Sequence, residues 1–406
     1  MLRASTASST TLARARDRSS HAHSHSHSHS HSTIVPRTLN RRDALVASVA
    51  LATWLASRRA RAEPLDTVID VERAFALGKS TKKPRVIITG GNSGIGRAAA
   101  TTLAREGKWV VALACRTRAK AEDTREAIAR AYPEVNVDDI ECYACDLGSM
   151  ASVRAFAREV VANDASVDAL CLNAGVEYSG DPTVHRTVDG FEETIGVNHL
   201  GHFLLANLLL PALESSALEH PRVVVTASEV HDPSSPGGSV GKGATLGTLN
   251  GFIRDGKAFE MVSGEAFDAD KAYKDSKLCN MLFTYELERR LRAKGSKVNV
   301  NAFGPGLITR TGLFRHQQPL FVKVFDFITN DVAHVAETVE GGGNTLVYML
   351  EDQSLEGVGG VYFNNTLSPG TPPTGHAFVQ TDSSDESLRA DEAANLWALS
   401  ERLVGL

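Results

Sequence analysis

An apolar strand at residues 86–89 passes directly into a turn with spaced glycines, and a small-residue helical pattern follows at once. The turn is Thr89-Gly90-Gly91-Asn92-Ser93-Gly94-Ile95-Gly96. Glycines at such a strand-to-helix turn let backbone N–H groups approach a pyrophosphate at the helix N-terminus. The spacing Gly90-x-x-x-Gly94-x-Gly96 differs from the common dinucleotide fingerprint, with more residues between the first two glycines. The segment predicts a dinucleotide cofactor bound at the start of an α/β fold.

Seven strand patterns alternate with helical patterns after residue 83. They lie at 85–89, 108–114, 139–145, 167–172, 222–227, 297–303 and 359–363. Strands separated by helices predict a parallel sheet covered on both faces, with ligands at the carboxyl ends of its strands. We therefore expect a Rossmann-type, doubly wound α/β domain spanning residues 83–406 as a single domain.

Tyr273 and Lys277 lie four residues apart in Ala-Tyr-Lys-Asp-Ser-Lys. On a helix this spacing places both side chains on one face. A phenol has a reference pKa of about 10, and a cation nearby favours the phenolate. Such pairs also occur by chance on surface helices, so the interpretation as an acid and its activating cation depends on the other motifs.

Together these features resemble the short-chain dehydrogenase/reductase family. Further motifs extend the resemblance over roughly residues 84–363, in the family's order: Asp146-Leu147, Asn173-Ala174-Gly175, Asn198, Ser228 and Pro305-Gly306. The resemblance implies that Tyr273 donates a proton and that Lys277 lowers its pKa and binds the nicotinamide ribose. Ser228 would orient the substrate or stabilise developing charge, and Asn198 would hold a water relay from Lys277.

The family resemblance also implies a set of cofactor contacts. These are Thr89, Gly90, Asn92, Ser93, Gly94, Ile95, Gly96, Arg97, Arg116, Asp146, Leu147, Asn173, Ala174, Gly175, Lys277, Pro305 and Gly306. Arg116 lies 20 residues after Gly96, where an acid would bind a free ribose 2′-hydroxyl. A guanidinium there suits a 2′-phosphate, which predicts NADPH over NADH, with help from Arg97 and Arg118.

Several longer strings resemble one group within this family, the light-dependent protochlorophyllide oxidoreductases. They are Ala114–Arg116, Asn198–Leu205, Lys271–Leu282, Thr311–Arg315 with Pro319–Phe321, and Leu403–Leu406. The resemblance implies a large, flat, apolar pigment, protochlorophyllide, as substrate and a light-driven reduction of its ring-D double bond.

Two positions depart from that group. Leu307 follows Gly306, where the group has a Cys implicated in pigment binding, and Gly175 has the ordinary dehydrogenase form. Two alternatives therefore stay open. One is a light-independent reductase of another apolar carbonyl or alkene. The other is a non-catalytic NADPH- or pigment-binding protein, against which the intact Ser/Tyr/Lys set argues.

Residues 229–272, which we call the insert, separate Ser228 from Tyr273 and are rich in Gly, Ser and Pro. Long loops of this kind are functional or disordered, and its place between two candidate catalytic residues predicts an extended substrate loop acting as a lid. A second candidate lid is 313–328, with four Phe. Plain packing of an amphipathic helix is the alternative there.

The first 62 residues differ from the rest, with ten Arg, no Lys and two acids. That composition predicts a disordered targeting leader, followed by a linker at 63–82. A His/Ser tract occupies 21–32, and a twin-arginine segment with an apolar stretch occupies 41–62. The two-part leader predicts import into a plastid, followed by association with, or transfer across, an inner membrane such as the thylakoid.

The chain after the leader has a net charge of −13 and no basic patch, which argues against a nucleic-acid partner.

Five cysteines, at 115, 142, 145, 171 and 279, predict reduced core residues, with redox regulation through Cys142-x-x-Cys145 as the alternative. No second Cys pair completes a zinc site, so no metal is expected. Peripheral membrane association and a homo-oligomeric state stay open.

Overall fold

An eight-stranded sheet forms the centre of the computed structural model, which describes residues 82–162, 166–313, 326, 329, 336–367 and 376–406. Its strands are β1 Arg85–Thr89, β2 Val110–Cys115, β3 Ile140–Ala144, β4 Ala169–Leu172, β5 Arg222–Thr226, β6 Asn299–Gly304, β7 Tyr362–Leu367 and β8 His376–Gln380. Their spatial order is β3-β2-β1-β4-β5-β6-β7-β8. All neighbours pair in parallel except β7 and β8, which are antiparallel.

Helices pack on both faces of this sheet. They are α1 Gly94–Glu106, α2 Arg118–Ala131, α3 Met150–Ala162, α4 Glu193–Glu214, α5 Asn250–Arg254, α6 Ala269–Ala293, α7 Val339–Glu351 and α8 Ala390–Val404. Short 3₁₀ helices occupy Val137–Asp139, Glu229–His231, Gly256–Ala258, Gln353–Leu355 and Glu386–Leu388. The predicted doubly wound sheet in a single domain is confirmed.

β1 shows why the strand patterns were recognisable. Val86, Ile87 and Ile88 are all fully buried, because the strand is covered on both faces and so reads as a continuous apolar run. Ile87 belongs to the core beneath α4, α6 and α8, whereas Val86 and Ile88 belong to the core beneath α1 and α7. Alternate residues thus serve two separate cores.

β8 was not predicted from the sequence. Its five residues are half-buried or exposed and include His376 and Gln380, so no apolar run marks it. It is held by pairing with β7 and by Phe378, whose ring contacts the rings of Phe303 and Phe363. This stabilisation comes from residues distant in sequence, and local composition gives no sign of it.

α4 contains the family-type Asn198 within a π-helical turn at Gly196–Gly201. This helix is long and apolar enough to cross a bilayer by length and composition, but 72% of its most apolar window is buried inside the protein. Its apolar character is therefore that of a core helix.

All five cysteines are buried and unpaired, as expected of reduced core residues. Cys142 and Cys145 are three residues apart, and they contribute to the cores on opposite faces of the sheet. This separation does not suit the alternative of a redox pair formed by these two thiols.

The insert is an ordered part of the domain. It contains α5 and two short 3₁₀ helices, and its Phe252, Phe259 and Val262 side chains are fully buried in the core shared with α4 and α6. The second half of the insert is therefore anchored in the core, and the insert cannot open as one lid without exposing these buried side chains. The second candidate lid lies outside the described residues except for 313 and 326, as do the leader 1–62 and all but the last residue of the linker 63–82.

Candidate active site

The glycine turn after β1 has the backbone geometry that a pyrophosphate site needs. Gly90 and Gly94 have φ angles of +68° and +52°, which side-chain-bearing residues rarely adopt. A Cβ on Gly96 would lie 2.7 Å from Gly90 O and 2.5 Å from Asn173 Nδ2. The Ser93 side chain makes no capping hydrogen bond at the start of α1. The turn therefore leaves the α1 N-terminus approachable, and it fits a dinucleotide phosphate.

Thr89 joins the glycine turn to the Asn-Ala-Gly motif after β4. Its Oγ1 accepts hydrogen bonds from the N–H groups of Asn173 (2.8 Å) and Ala174 (3.0 Å), and its carbonyl accepts one from Asn173 Nδ2 at 2.9 Å. The Thr89 hydroxyl is thus used inside the protein, and the residue is 1% exposed. Its predicted cofactor contact remains a prediction, and its visible role is to place Asn173 and Ala174.

Arg116 and Asp146 follow neighbouring strands, since Cys115 of β2 pairs with Ala144 of β3. Arg116 is exposed, and Asp146 Oδ1 accepts the Gly148 N–H at 3.0 Å. Leu147 is only 5% exposed and packs in the core, so its side chain is a structural one. The strand ends at which the family binds the adenosine half of its cofactor are thus adjacent.

Arg97 and Arg118 were expected to assist Arg116, and their guanidinium groups have different surroundings. Arg97 is exposed on the first turns of α1. The Arg118 guanidinium instead donates to Cys142 O at 2.5 Å and to Glu159 Oε1 at 2.7 Å. We therefore correct the expectation for Arg118, whose donors bind the protein itself.

Pro305 and Gly306 form the loop after β6. Gly306 has a φ of +86°, and Asn365 Nδ2 donates to Pro305 O at 3.2 Å. Leu307 O accepts the N–H of Glu337 at 2.7 Å, so the main chain of Leu307 is fixed without help from its side chain. The Leu307 side chain is half-buried.

Tyr273 and Lys277 lie on one face of α6, as the spacing predicts. Asp268 caps this helix by accepting the Lys271 N–H at 3.0 Å. Lys277 Nζ lies 5.4 Å from the centroid of the Tyr273 ring and donates to Thr226 O, at the end of β5, at 3.1 Å. The helix thus presents both residues at the carboxyl edge of the sheet.

Ser228 lies two residues beyond the end of β5, at the same edge. Its side chain caps the short helix Glu229–His231, with Oγ 3.5 Å from the Val230 N–H, and its carbonyl accepts from His231 Nδ1 at 2.6 Å. The residue is half-buried. The long capping bond leaves the hydroxyl proton available to a substrate oxygen.

The Asn198 side chain binds two neighbouring elements. Oδ1 accepts the Val176 N–H at 2.8 Å, and Nδ2 donates to Val176 O and to Ser276 Oγ, both at 3.0 Å. Ser276 in turn donates to Tyr273 O at 2.6 Å. Asn198 therefore connects the segment after β4 to α6, while its expected role in a water relay from Lys277 stays a prediction.

Known proteins are similar in sequence to this chain over most of its length. The short chain dehydrogenase family model matches residues 84–255. The chloroplastic protochlorophyllide reductase of Daucus carota is 36% identical over 354 residues, covering 85% of this chain and 84% of that protein. Chloroplastic protochlorophyllide reductase A of Oryza sativa subsp. japonica is 37% identical over 343 residues, covering 82% and 83%. The chain belongs to the short-chain dehydrogenase/reductase family.

A solved structure with a similar fold supports this assignment. The crystal structure of an uncharacterized protein from Mycobacterium paratuberculosis has a TM-score of 0.56 and 30% identity, covering 80% of this chain and 95% of that one. As a short-chain dehydrogenase/reductase, the protein is an NAD(P)-dependent oxidoreductase, and the glycine turn after β1 is the candidate site for its cofactor.

Burial is the largest influence on the ionisation of the candidate catalytic pair, Tyr273 and Lys277. Burial raises the pKa of Tyr273, and the Glu177 carboxylate raises it further. Burial lowers the pKa of Lys277 to about 8, although the charge of Glu177 acts in the opposite direction. The pKa of Tyr273 is therefore raised overall in the protein alone, because removal of the phenol from water has the largest effect, and the expected lowering by Lys277 stays a prediction.

Glu177 is a site residue that the sequence analysis missed. It is 7% exposed, it accepts a hydrogen bond from Ser179 Oγ, and its charge acts on both Tyr273 and Lys277. Its position just after the Asn173–Val176 stretch, at the carboxyl end of β4, could have indicated it. A buried carboxylate whose charge acts on both a phenol and an ammonium helps to set the protonation state of both.

His202 is a second residue that the sequence motifs did not indicate, and it links two parts of the candidate site. Its Nδ1 lies 3.1 Å from Asn198 O and its Nε2 lies 2.9 Å from Thr89 Oγ1. A carbonyl only accepts, so Nδ1 carries the proton, and Nε2 shares the single proton of the Thr89 hydroxyl with Cys171 O, which lies 3.1 Å from Thr89 Oγ1. Burial lowers the pKa of His202 to about 4, which keeps the ring neutral. It thereby connects the cofactor strand to the turn that contains Asn198.

Proposed function

We propose that this protein is an NADPH-dependent protochlorophyllide reductase that reduces the ring-D double bond of its pigment in a light-dependent step. The observation that carries the proposal is the 36% and 37% identity to relatives named protochlorophyllide reductase, over more than four fifths of the chain. The Ser228, Tyr273 and Lys277 side chains that a reductase of this family needs are present at one edge of the sheet.

The cofactor would lie along the carboxyl edge, with its pyrophosphate at the Gly90–Gly96 turn. Arg116 would bind the 2′-phosphate through charge-assisted hydrogen bonds, which distinguish NADPH from NADH. The Asn173–Gly175 motif, Pro305-Gly306 and Lys277 would border the nicotinamide half. NADPH, when bound, supplies a hydride to the substrate.

Tyr273 would supply the proton that completes the reduction. Addition of one hydride and one proton converts the carbon–carbon double bond into a single bond with two new C–H bonds. The raised pKa of Tyr273 keeps the phenol protonated at neutral pH until the substrate accepts the proton. Lys277, protonated below a pKa of about 8, would stabilise the phenolate that remains and help to return a proton to it.

A second candidate function is a light-independent reductase of another apolar carbonyl or alkene. Two observations favour it: Leu307 stands where the pigment-reducing group has Cys, and Gly175 has the ordinary dehydrogenase form. Dependence of turnover on visible light separates the candidates. NADPH-dependent loss of protochlorophyllide only under illumination supports the first, whereas dark oxidation of NADPH with an apolar carbonyl or alkene supports the second.

We propose a plastid as the site of action, with association of the protein with the thylakoid membrane. Both reported relatives are chloroplastic by name, and the Arg-rich, acid-poor leader 1–62 has a targeting composition. Sequencing of the mature N-terminus from fractionated organelles tests this, and a cytosolic protein that retains Met1 would contradict it.

A further inference from the structure

Lys274 follows Tyr273 on α6, but its side chain enters the insert instead of the catalytic face. Its ammonium donates to three main-chain carbonyls: Gly238 O at 3.1 Å, Val240 O, and Lys242 O at 3.1 Å. An ammonium group has three N–H donors, so this site uses all of them. Lys274 is 7% exposed. Alternate carbonyls of residues 238–242 therefore converge on one buried charge.

A second attachment lies one turn earlier on the same side of α6. Lys271 Nζ donates to Thr245 O at 2.8 Å and to Asp275 Oδ2 at 2.6 Å, while Asp275 Oδ1 accepts the Thr245 N–H at 3.0 Å. Spacings of three and four residues place Lys271, Lys274 and Asp275 on one helix face. One face of α6 thus presents Tyr273 and Lys277, and a different face binds the insert.

The attached segment borders the catalytic residues at both of its ends. It begins directly after Ser228, where Glu229 O accepts from Ser235 Oγ at 2.8 Å and folds the chain back. It is then held by the residue next to Tyr273. The segment thus runs from the residue next to Ser228 to a carbonyl group bound by the residue next to Tyr273.

We propose that Lys274 is a positioning residue that fixes residues 238–242 as a rigid wall of the substrate pocket. The inference rests on the proposed function and deepens it, because it assigns the insert a fixed shape that selects the substrate. A neutral side chain at 274 would remove the ammonium on which the three carbonyls converge, and in residues 239–242, which are exposed, nothing described would hold the carbonyls in that arrangement. The segment would then move, and the substrate would lose contacts while the cofactor site stayed intact.

Hydrogen exchange on the NADPH-loaded protein tests the wall directly. The Gly238 and Ser239 N–H groups are bonded to Ser235 Oγ and Ser235 O, both at 2.9 Å, and they report on the segment. We expect Lys274→Met to speed their exchange by about tenfold or more. The matched control is Lys294→Met, which removes an exposed ammonium at the far end of α6 but keeps all three carbonyls on Lys274, and it should leave exchange unchanged.

Steady-state kinetics with protochlorophyllide test the functional consequence. Lys274→Met should raise KM for the pigment by about tenfold, with kcat within about twofold and NADPH affinity unchanged. If Lys274→Met does not fold, Lys274→Gln keeps two donors and should give smaller changes, about threefold, in the same direction.

Two results would overturn the inference: exchange of 238–242 that is no faster than in the wild type, or faster exchange with an unchanged KM. A wild type that never converts the pigment would refute the proposed function instead. Exchange in the NADPH-loaded protein would still decide whether Lys274 fixes the segment.

Discussion

Lys277 Nζ lies 5.4 Å from the centroid of the Tyr273 ring and is held there by a 3.1 Å hydrogen bond to Thr226 O. The two residues respond to burial in opposite ways: the pKa of Tyr273 rises, and that of Lys277 falls to about 8. The phenol is thus a stable proton donor at neutral pH, and the ammonium titrates near working pH. This pairing is the basis for the predictions on catalysis.

Tyr273→Phe removes the proton donor and little else. We expect kcat to fall by about 100-fold or more, the usual range for a general acid, while NADPH affinity stays within about twofold. Tyr285→Phe is the matched control, since Tyr285 lies on the same helix and its hydroxyl bonds to Ser383 Oγ at 2.8 Å, away from Lys277. A fully active Tyr273→Phe would show that the proton comes from another donor.

Activity should fall as the pH rises through about 8, where Lys277 loses its proton. The charge of Glu177 raises the pKa of Lys277, so Glu177→Gln should lower that pKa and move the alkaline loss of activity to lower pH. Glu126→Gln, on the exposed side of α2, is the control and should not shift the profile. A pH–rate profile of kcat/KM measures this, and a shift to higher pH for Glu177→Gln would contradict the assignment.

Arg116→Ala should weaken NADPH binding by about 10- to 100-fold, the worth of one or two charge-assisted hydrogen bonds, and leave NADH binding unchanged. Arg118→Ala is the control, because that guanidinium is bound to Cys142 O and Glu159. Fluorescence titration of both nucleotides measures the preference. Equal affinities of the wild type for NADPH and NADH would refute the role of Arg116.

Leu307→Cys should raise the rate of light-driven pigment reduction. A thiol can donate a hydrogen bond or a proton, whereas an isobutyl group can do neither. The main-chain bond from Glu337 N to Leu307 O, at 2.7 Å, does not depend on the side chain, so the loop should be retained. Leu307→Ala separates chemistry from bulk: if it accelerates the reaction as much as Leu307→Cys, the thiol is not the cause.

The sequence predicts the parallel strands well because most are buried on both faces and read as apolar runs. All seven predicted strands exist, with ends shifted by at most four residues. β8 could not be predicted, since its stability depends on β7 and on aromatic contacts of Phe378. The insert likewise reads as a loop from its Gly, Ser and Pro, although Phe252 and Phe259 anchor it in the core.

The candidate site was predictable where spacing within one element decides it, as for Tyr273 and Lys277 on α6. The electrostatic environment of this pair could not be predicted, because Glu177 acts on the two residues only through the tertiary fold. Burial also raises the pKa of Tyr273, whereas the sequence led us to expect a lowered pKa. Some strings that gave the family resemblance turn out to be structural. His199 Nε2 lies 2.9 Å from Ser400 Oγ, and a Cβ on Gly201 would collide with Leu147 O.

The central claim is tested most directly by one absorbance time course on the purified protein with NADPH and protochlorophyllide, first in darkness and then under illumination. We predict a red-shifted, bound pigment in the dark and no product. Illumination should then produce chlorophyllide in the wild type, and Tyr273→Phe should produce almost none. Absence of bound pigment, together with no chlorophyllide after illumination, would contradict the account and favour a light-independent reductase of another apolar substrate.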